Sequence, residues 1–127
     1  MQNLDDLIPR TFFRFQNELK LYHWRTYSYA RHVASDALYD ELSDLIDKFV
    51  EIYMGKYDKR VDIASRPIQI RTYNDKNVQK LFSDFKKFLE NLDALFTQKK
   101  RCVSDLLNIR DEMLGNIEQT LYRFTLR

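Results

Sequence analysis

With only 2 glycines and 2 prolines in 127 residues, this chain has few places to turn. Average usage would supply about 9 and 6, so the scarcity argues for long helices joined by few breaks. The apolar residues are spaced accordingly. Phe12, Phe15, Leu19 and Tyr22 recur at helical spacing and predict a first helix over about residues 10–25, with Pro9 suited to its first turn. Leu38, Leu42, Leu45, Phe49 and Ile52 form the stripe of a second helix over about 29–57, for which Ser28 or Thr26 is the candidate cap. A continuous helix from Arg10 to Tyr57 is the alternative, since residues 26–30 carry neither Gly nor Pro.

The period stops at residues 58–75, which include Pro67 and alternate Ile68, Ile70 and Thr72 as extended chain does. It resumes from Val78 to Phe96, predicting a third helix over about 76–98 capped by Asn74 or Asp75. Leu106 to Phe124 predict a fourth over about 103–125, which tolerates Gly115. Four helices with one long connection between the second and third have the order of a ferritin-like bundle. A helix of about 24 residues is about 36 Å long, and 18 extended residues reach about 60 Å. The crossover can therefore run the length of the bundle and leave the second and third helices parallel.

The remaining composition limits function more than fold. At 44% hydrophobic and 31% charged the chain reads as one soluble globular domain over 1–127, not a disordered, collagenous or disulfide-built protein. Its single cysteine, Cys102, reads as a packing residue of a reducing, cytoplasmic protein. Residues 1–9 carry Asp5 and Asp6 and lack a basic n-region, so they do not read as a signal peptide, and no apolar run is long enough for a membrane helix. The net charge is +2, with 7 basic against 9 acidic residues in 1–57 and 14 against 10 in 58–127. That even balance makes DNA an unexpected partner.

The ionisable groups of the second helix are grouped. On a helical wheel with His32 at the origin, Asp36, Asp47, Asp40 and Glu51 fall within about 40–100°, nearly opposite the apolar stripe. Val50, Met54 and Tyr39 border them, so this face reads as a subunit interface, while Glu41, Asp44 and Lys48 mark a solvated one. His32 and Asp36 are one turn apart, as are Asp47 and Glu51, and each pair suits a metal ion. The 15 residues between His32 and Asp47 span about 22 Å of helix, so one chain cannot close the site. Two copies crossing antiparallel about a two-fold axis near residues 40–43 would close two. If the chain reverses near Tyr27, His23 joins His32, and a satisfied core histidine or a ligand are both open for it. Trp24 reads as a packing residue.

These residues resemble those of Dps-like miniferritins. The likeness lies in the pair His23-Trp24, in His32 with Asp36, in Asp47 and Glu51 placed 15 and 19 residues beyond His32, and in the closing string IEQTLYRFTL from Ile117. It covers most of the chain and is most specific in residues 18–54. The string YHWRTYSYARH is also similar to uncharacterised proteins of phages and large DNA viruses, which would place the protein in a host cytoplasm. The resemblance implies oxidation of ferrous iron by peroxide or dioxygen at an intersubunit site. His23, His32, Asp36, Asp47 and Glu51 would be the iron ligands, with storage of the ferric product open. Zn²⁺ and Mn²⁺ compete with Fe²⁺ for such a ligand set. It also implies a homo-oligomer paired through the second helix and leaves a dodecameric shell open. The competing expectation is a non-catalytic, homo-oligomeric interaction protein that keeps the fold without iron chemistry.

Overall fold

A computed structural model describes residues 3–97 and 101–127. The described residues form four helices and no strand: α1 (Leu4–Arg25), α2 (Tyr29–Tyr57), α3 (Val78–Phe96) and α4 (Ser104–Arg123). The second helix has its expected bounds, and the alternative of one continuous helix is excluded by the break at residues 26–28. The third and fourth are slightly shorter than expected, with residues 98–100 outside the described region.

The first helix corrects the sequence reading. It starts six residues before Arg10, capped by Asn3, whose side chain accepts the Asp5 N–H at 3.0 Å, so Pro9 lies inside it rather than at its start. A proline there lacks the N–H that would bond the carbonyl four residues earlier. That carbonyl belongs to Asp5, and it accepts the Asp62 N–H from the connection at 3.1 Å instead. The orphaned acceptor thus becomes an anchor for another segment.

From that anchor the connection follows α1. Arg10, which is ion-paired with Asp6, donates to the carbonyls of Ile63 (2.6 Å) and Pro67 (2.9 Å); the Arg71 N–H reaches Glu18 at 2.8 Å. Asp75 closes the run at the other end of α1, accepting from Tyr22 Oη (2.7 Å), Thr26 Oγ1 (2.5 Å) and the Tyr27 N–H (3.1 Å). The chain therefore leaves α2 beside the start of α1 and enters α3 beside its end, so α2 and α3 run in the same direction. Each helix packs on two neighbours in the order α1, α2, α4, α3.

Phenylalanines dominate the centre. Phe15 and Phe85 stack in parallel at 3.9 Å, and Phe12 meets Phe49, Phe85 and Phe88 edge-on at 5.5–6.1 Å, an arrangement that ring quadrupoles favour. The buried stripe of α2 is Leu38, Leu42, Ile46, Phe49 and Tyr53, rotated toward α1 from the expected one, so Leu45 and Ile52 are only partly buried. Glu41, expected on a solvated face, has a buried Oε2 with no hydrogen-bond partner. Cys102 is not a packing residue: it is exposed, and hydrogen bonding by Ser104, with Sγ and Oγ 3.2 Å apart, lowers its thiol pKa. Trp24 is likewise exposed, at 68%.

One charged side chain is built into the core boundary. Arg110, 7% exposed, donates to the Leu89 carbonyl at 2.8 Å and pairs with Asp93 (3.0 Å) and Asp111 (2.7 Å). Burial alone would lower its pKa, but the two carboxylates outweigh burial and raise it. Arg110→Ala is expected to cost about 3 kcal/mol, since it opens a gap and strips the α3 groups of a donor. Arg110→Met, which keeps the volume, should cost clearly less in urea unfolding.

Candidate metal centre

The turn between α1 and α2 is made by three residues. Thr26 leaves the helix with φ −65° and ψ 145°, and Ser28 Oγ accepts the Arg31 N–H at 3.2 Å as the N-cap of α2. Asp75 holds this turn from the side, and Arg31 braces it by donating to Tyr22 Oη (3.3 Å) and to the Asp75 carbonyl (3.2 Å). The last turn of α1 then lies beside the first of α2, and His23 meets His32.

The two imidazoles stack with centroids 3.9 Å apart and planes inclined by 15°. Their main-chain contacts are reciprocal: His23 Nδ1 lies 2.7 Å from the His32 carbonyl, and His32 Nδ1 lies 2.8 Å from the His23 carbonyl. A carbonyl only accepts, so each Nδ1 carries the hydrogen and, in the neutral ring, each Nε2 carries the lone pair. This arrangement, with one ring nitrogen tied to the backbone and the other presented, is how proteins orient a metal-ligating histidine. Ser35 Oγ supports it, 3.2 Å from His23 Nδ1 and donating to the His32 carbonyl at 3.1 Å. His23 is buried and His32 half-buried.

Asp36 is placed differently from the sequence expectation. The one-turn spacing paired it with His32, whereas its Oδ1 lies 3.9 Å from His23 Nε2 and 3.7 Å from Lys20 Nζ. Both separations are too long for hydrogen bonds, and the charge that Asp36 meets here is the Lys20 ammonium. Lys20 also lies over the Tyr39 ring at 4.6 Å, so Asp36 is held at the α1 side of the outer α2 face. Sequence reasoning missed Ser35 and Lys20. The helical offset of Ser35 from His32 was the available signal; no pattern pointed to Lys20.

Asp47 and Glu51 lie farther along α2, both exposed and with no hydrogen bond or ion pair among the described residues. Asp40 and Asp44 share that condition, giving α2 a strip of four unneutralised carboxylates. A groove of about 420 Å³ beside Asp47 is walled by Pro9, Phe13, Ile46, Val50 and Ile63, and Phe13 is 48% exposed. Within the single chain the five candidate ligands are thus split into His23, His32 and Asp36 at one end and Asp47 and Glu51 at the other. Among the described residues no group of three His, Cys, Asp or Glu is arranged to hold a metal ion.

Comparison with known proteins bears on this chain as a whole. A sequence profile described as a family of unknown function (DUF5856) matches residues 23–124. The chain belongs to that family. It is also similar to a protein of Enterobacteria phage T4, the uncharacterised 14.6 kDa protein of the mobD-ri intergenic region. The two are 34% identical over 94 residues, covering 65% of this chain and 73% of the phage protein. No solved structure matches the chain. Among the described residues no helix is long and apolar enough to cross a membrane.

Proposed function

We propose that this protein binds and oxidises ferrous iron at a site shared between two copies of the chain. The observation that carries the reading is the locked pair His23 and His32, whose Nδ1 atoms are both spent on main-chain carbonyls, leaving both Nε2 atoms to bind. Asp36 adds a carboxylate at this end. An antiparallel α2 pair centred between residues 41 and 42 would set His32 opposite the partner subunit's Glu51 and Asp36 opposite the partner subunit's Asp47. The acid strip and the apolar groove beside it suit such a contact, since each copy then offers its imidazole end to the other's carboxylate end. The four helices and the long connection along α1 support reading the fold as a ferritin-like bundle, and this reading would make the protein a Dps-like homo-oligomer, with a dodecameric shell left open.

Imidazole and carboxylate donors fit Fe²⁺, with Zn²⁺ and Mn²⁺ as competitors. Iron here is the substrate. Each ferrous ion gives up one electron; peroxide takes two, its O–O bond breaks, and protons from solvent complete two waters. Dioxygen is the alternative oxidant. His23 and His32 bind through Nε2, Asp36 anchors beside them, and Asp47 and Glu51 from the second copy close the shell and offset the charge gained on oxidation. A cytoplasmic location, in the host if the chain is phage-encoded like its T4 relative, accords with this chemistry.

A second reading, a non-catalytic interaction protein, is favoured by the exposed aromatic residues at the same end. Trp24, Tyr27 and Tyr29 are 68%, 100% and 80% exposed, a surface that fits a partner with or without iron. Aerobic addition of ferrous iron, followed by ferric absorbance against a protein-free control and repeated with peroxide, separates the two. Saturable acceleration supports the ferroxidase, and a rate equal to the control supports the interaction protein.

A further inference from the structure

A second cleft lies on the other side of the bundle, between α1, α3 and the connection, away from the outer face of α2. Its volume is about 370 Å³, within the range of small-molecule sites. Its floor is the stacked pair Phe15 and Phe85. Three cations reach it, Arg14 from α1, Arg71 from the connection and Lys80 from α3, together with the carboxylates of Glu18 and Asp84. Two of the cations are matched: Arg14 Nε donates to Glu18 Oε2 at 3.3 Å and Lys80 Nζ to Asp84 at 2.8 Å. The exposed Arg71 guanidinium has no carboxylate partner among the described residues, because only the main-chain N–H of Arg71 is engaged, on Glu18 Oε2. The cleft therefore keeps one uncompensated positive charge.

Two further polar groups reach it with hydrogen-bonding capacity to spare. Glu18 is 3% and Tyr73 5% exposed, and both line the cleft. The bonds to Glu18 fall on Oε2, while its Oε1 and the Tyr73 hydroxyl have no hydrogen-bond partner among the described residues. Both residues line the same space as the unmatched guanidinium, so a ligand there can bond these atoms in place of water.

We propose that this cleft binds a small oxyanion-bearing molecule, a phosphomonoester or a carboxylate on a flat apolar body. The oxyanion bonds Arg71, with Tyr73 and Lys80 beside it, where a guanidinium offers paired donors to either group. The body lies toward Phe15 and Phe85, and a donor on it reaches Glu18 Oε1. This site is independent of the iron reading, since none of its residues lies on the outer α2 face.

Calorimetric titration of the full chain, with no iron present, with phenyl phosphate, 4-aminobenzoate and inorganic phosphate tests it. Saturable binding of phenyl phosphate or 4-aminobenzoate, tighter than that of inorganic phosphate, is expected, and the tighter of the two identifies the oxyanion. Arg71→Ala should weaken it about tenfold, a charge-assisted hydrogen bond's worth, and Tyr73→Phe about threefold. Since the Arg71 side chain makes no bond within the described chain, its removal leaves the fold intact. Absence of saturable binding by all three probes, inorganic phosphate binding at least as tightly as both aromatic probes, or affinity unchanged by Arg71→Ala would overturn the proposal.

Discussion

Replacing Asp75 by alanine is expected to lower the unfolding free energy by about 3 kcal/mol, a large share of a small domain's stability. The carboxylate accepts from Tyr22 Oη, Thr26 Oγ1 and the Tyr27 N–H, and pairs with Arg31 at 4.0 Å. Tyr22 is fully buried, so its hydroxyl would lose its acceptor with little water to replace it. Asp75 also determines how stability depends on pH. Burial raises its pKa, but the hydrogen bonds from Thr26, Tyr22 and Tyr27 and the Arg31 charge outweigh this, and the net shift is downward. A carboxyl held below its unfolded value of about 3.9 contributes fully above that pH. It loses its contribution as pH falls through the folded value. Urea unfolding across the acid range should therefore show the wild type losing stability below about pH 4, with a shallower slope in Asp75→Ala. Equal slopes and equal midpoints would show that the hub is not structural.

The second large effect is on iron. Asp47→Ala combined with Glu51→Ala is expected to reduce ferrous oxidation to the protein-free rate while leaving thermal stability within about 0.5 kcal/mol of wild type. Both residues are exposed and without a hydrogen bond or ion pair among the described residues, so their removal leaves the packing of the described fold untouched. His32→Ala should abolish oxidation as well, but at a cost in stability, because its Nδ1–H bonds the His23 carbonyl and its ring stacks on His23. A double variant that oxidises iron at the wild-type rate would remove Asp47 and Glu51 from the site.

The sequence revealed those features that repeat locally. The bounds of α2 were legible because Ser28 caps a long apolar stripe, and the reversal at residues 26–28 follows from the same cap. The start of α1 was not, because proline is compatible with a first turn and Asn3, the real cap, lies before a short run whose period is hard to judge. Contacts far apart in sequence left no trace. Asp75 looked like a cap for α3, yet the groups that donate to its carboxylate are 48 to 53 residues away. Nothing in the local pattern singled out Glu18, which the connection buries beside Arg14. At the candidate centre, spacing identified His23, His32 and Asp36. It could not show that the stacked rings would move Asp36 from His32 to His23, since that depends on the angle between two helices. Trp24 and Cys102 show a further limit, in that residue types usually found inside are here on the surface.

Mixing two inactive variants tests most directly whether the iron site is shared between copies. His32→Ala lacks one end of the site and the Asp47→Ala/Glu51→Ala double variant lacks the other, so neither is expected to oxidise iron alone. Unfolded together and refolded at equal amounts, they should form mixed dimers in which one of the two sites is intact. Ferrous oxidation should then return to about a quarter of the wild-type rate. Activity that stays at the protein-free rate after mixing, in a sample shown by mass to contain the mixed dimer, would contradict a site built across the two-fold contact.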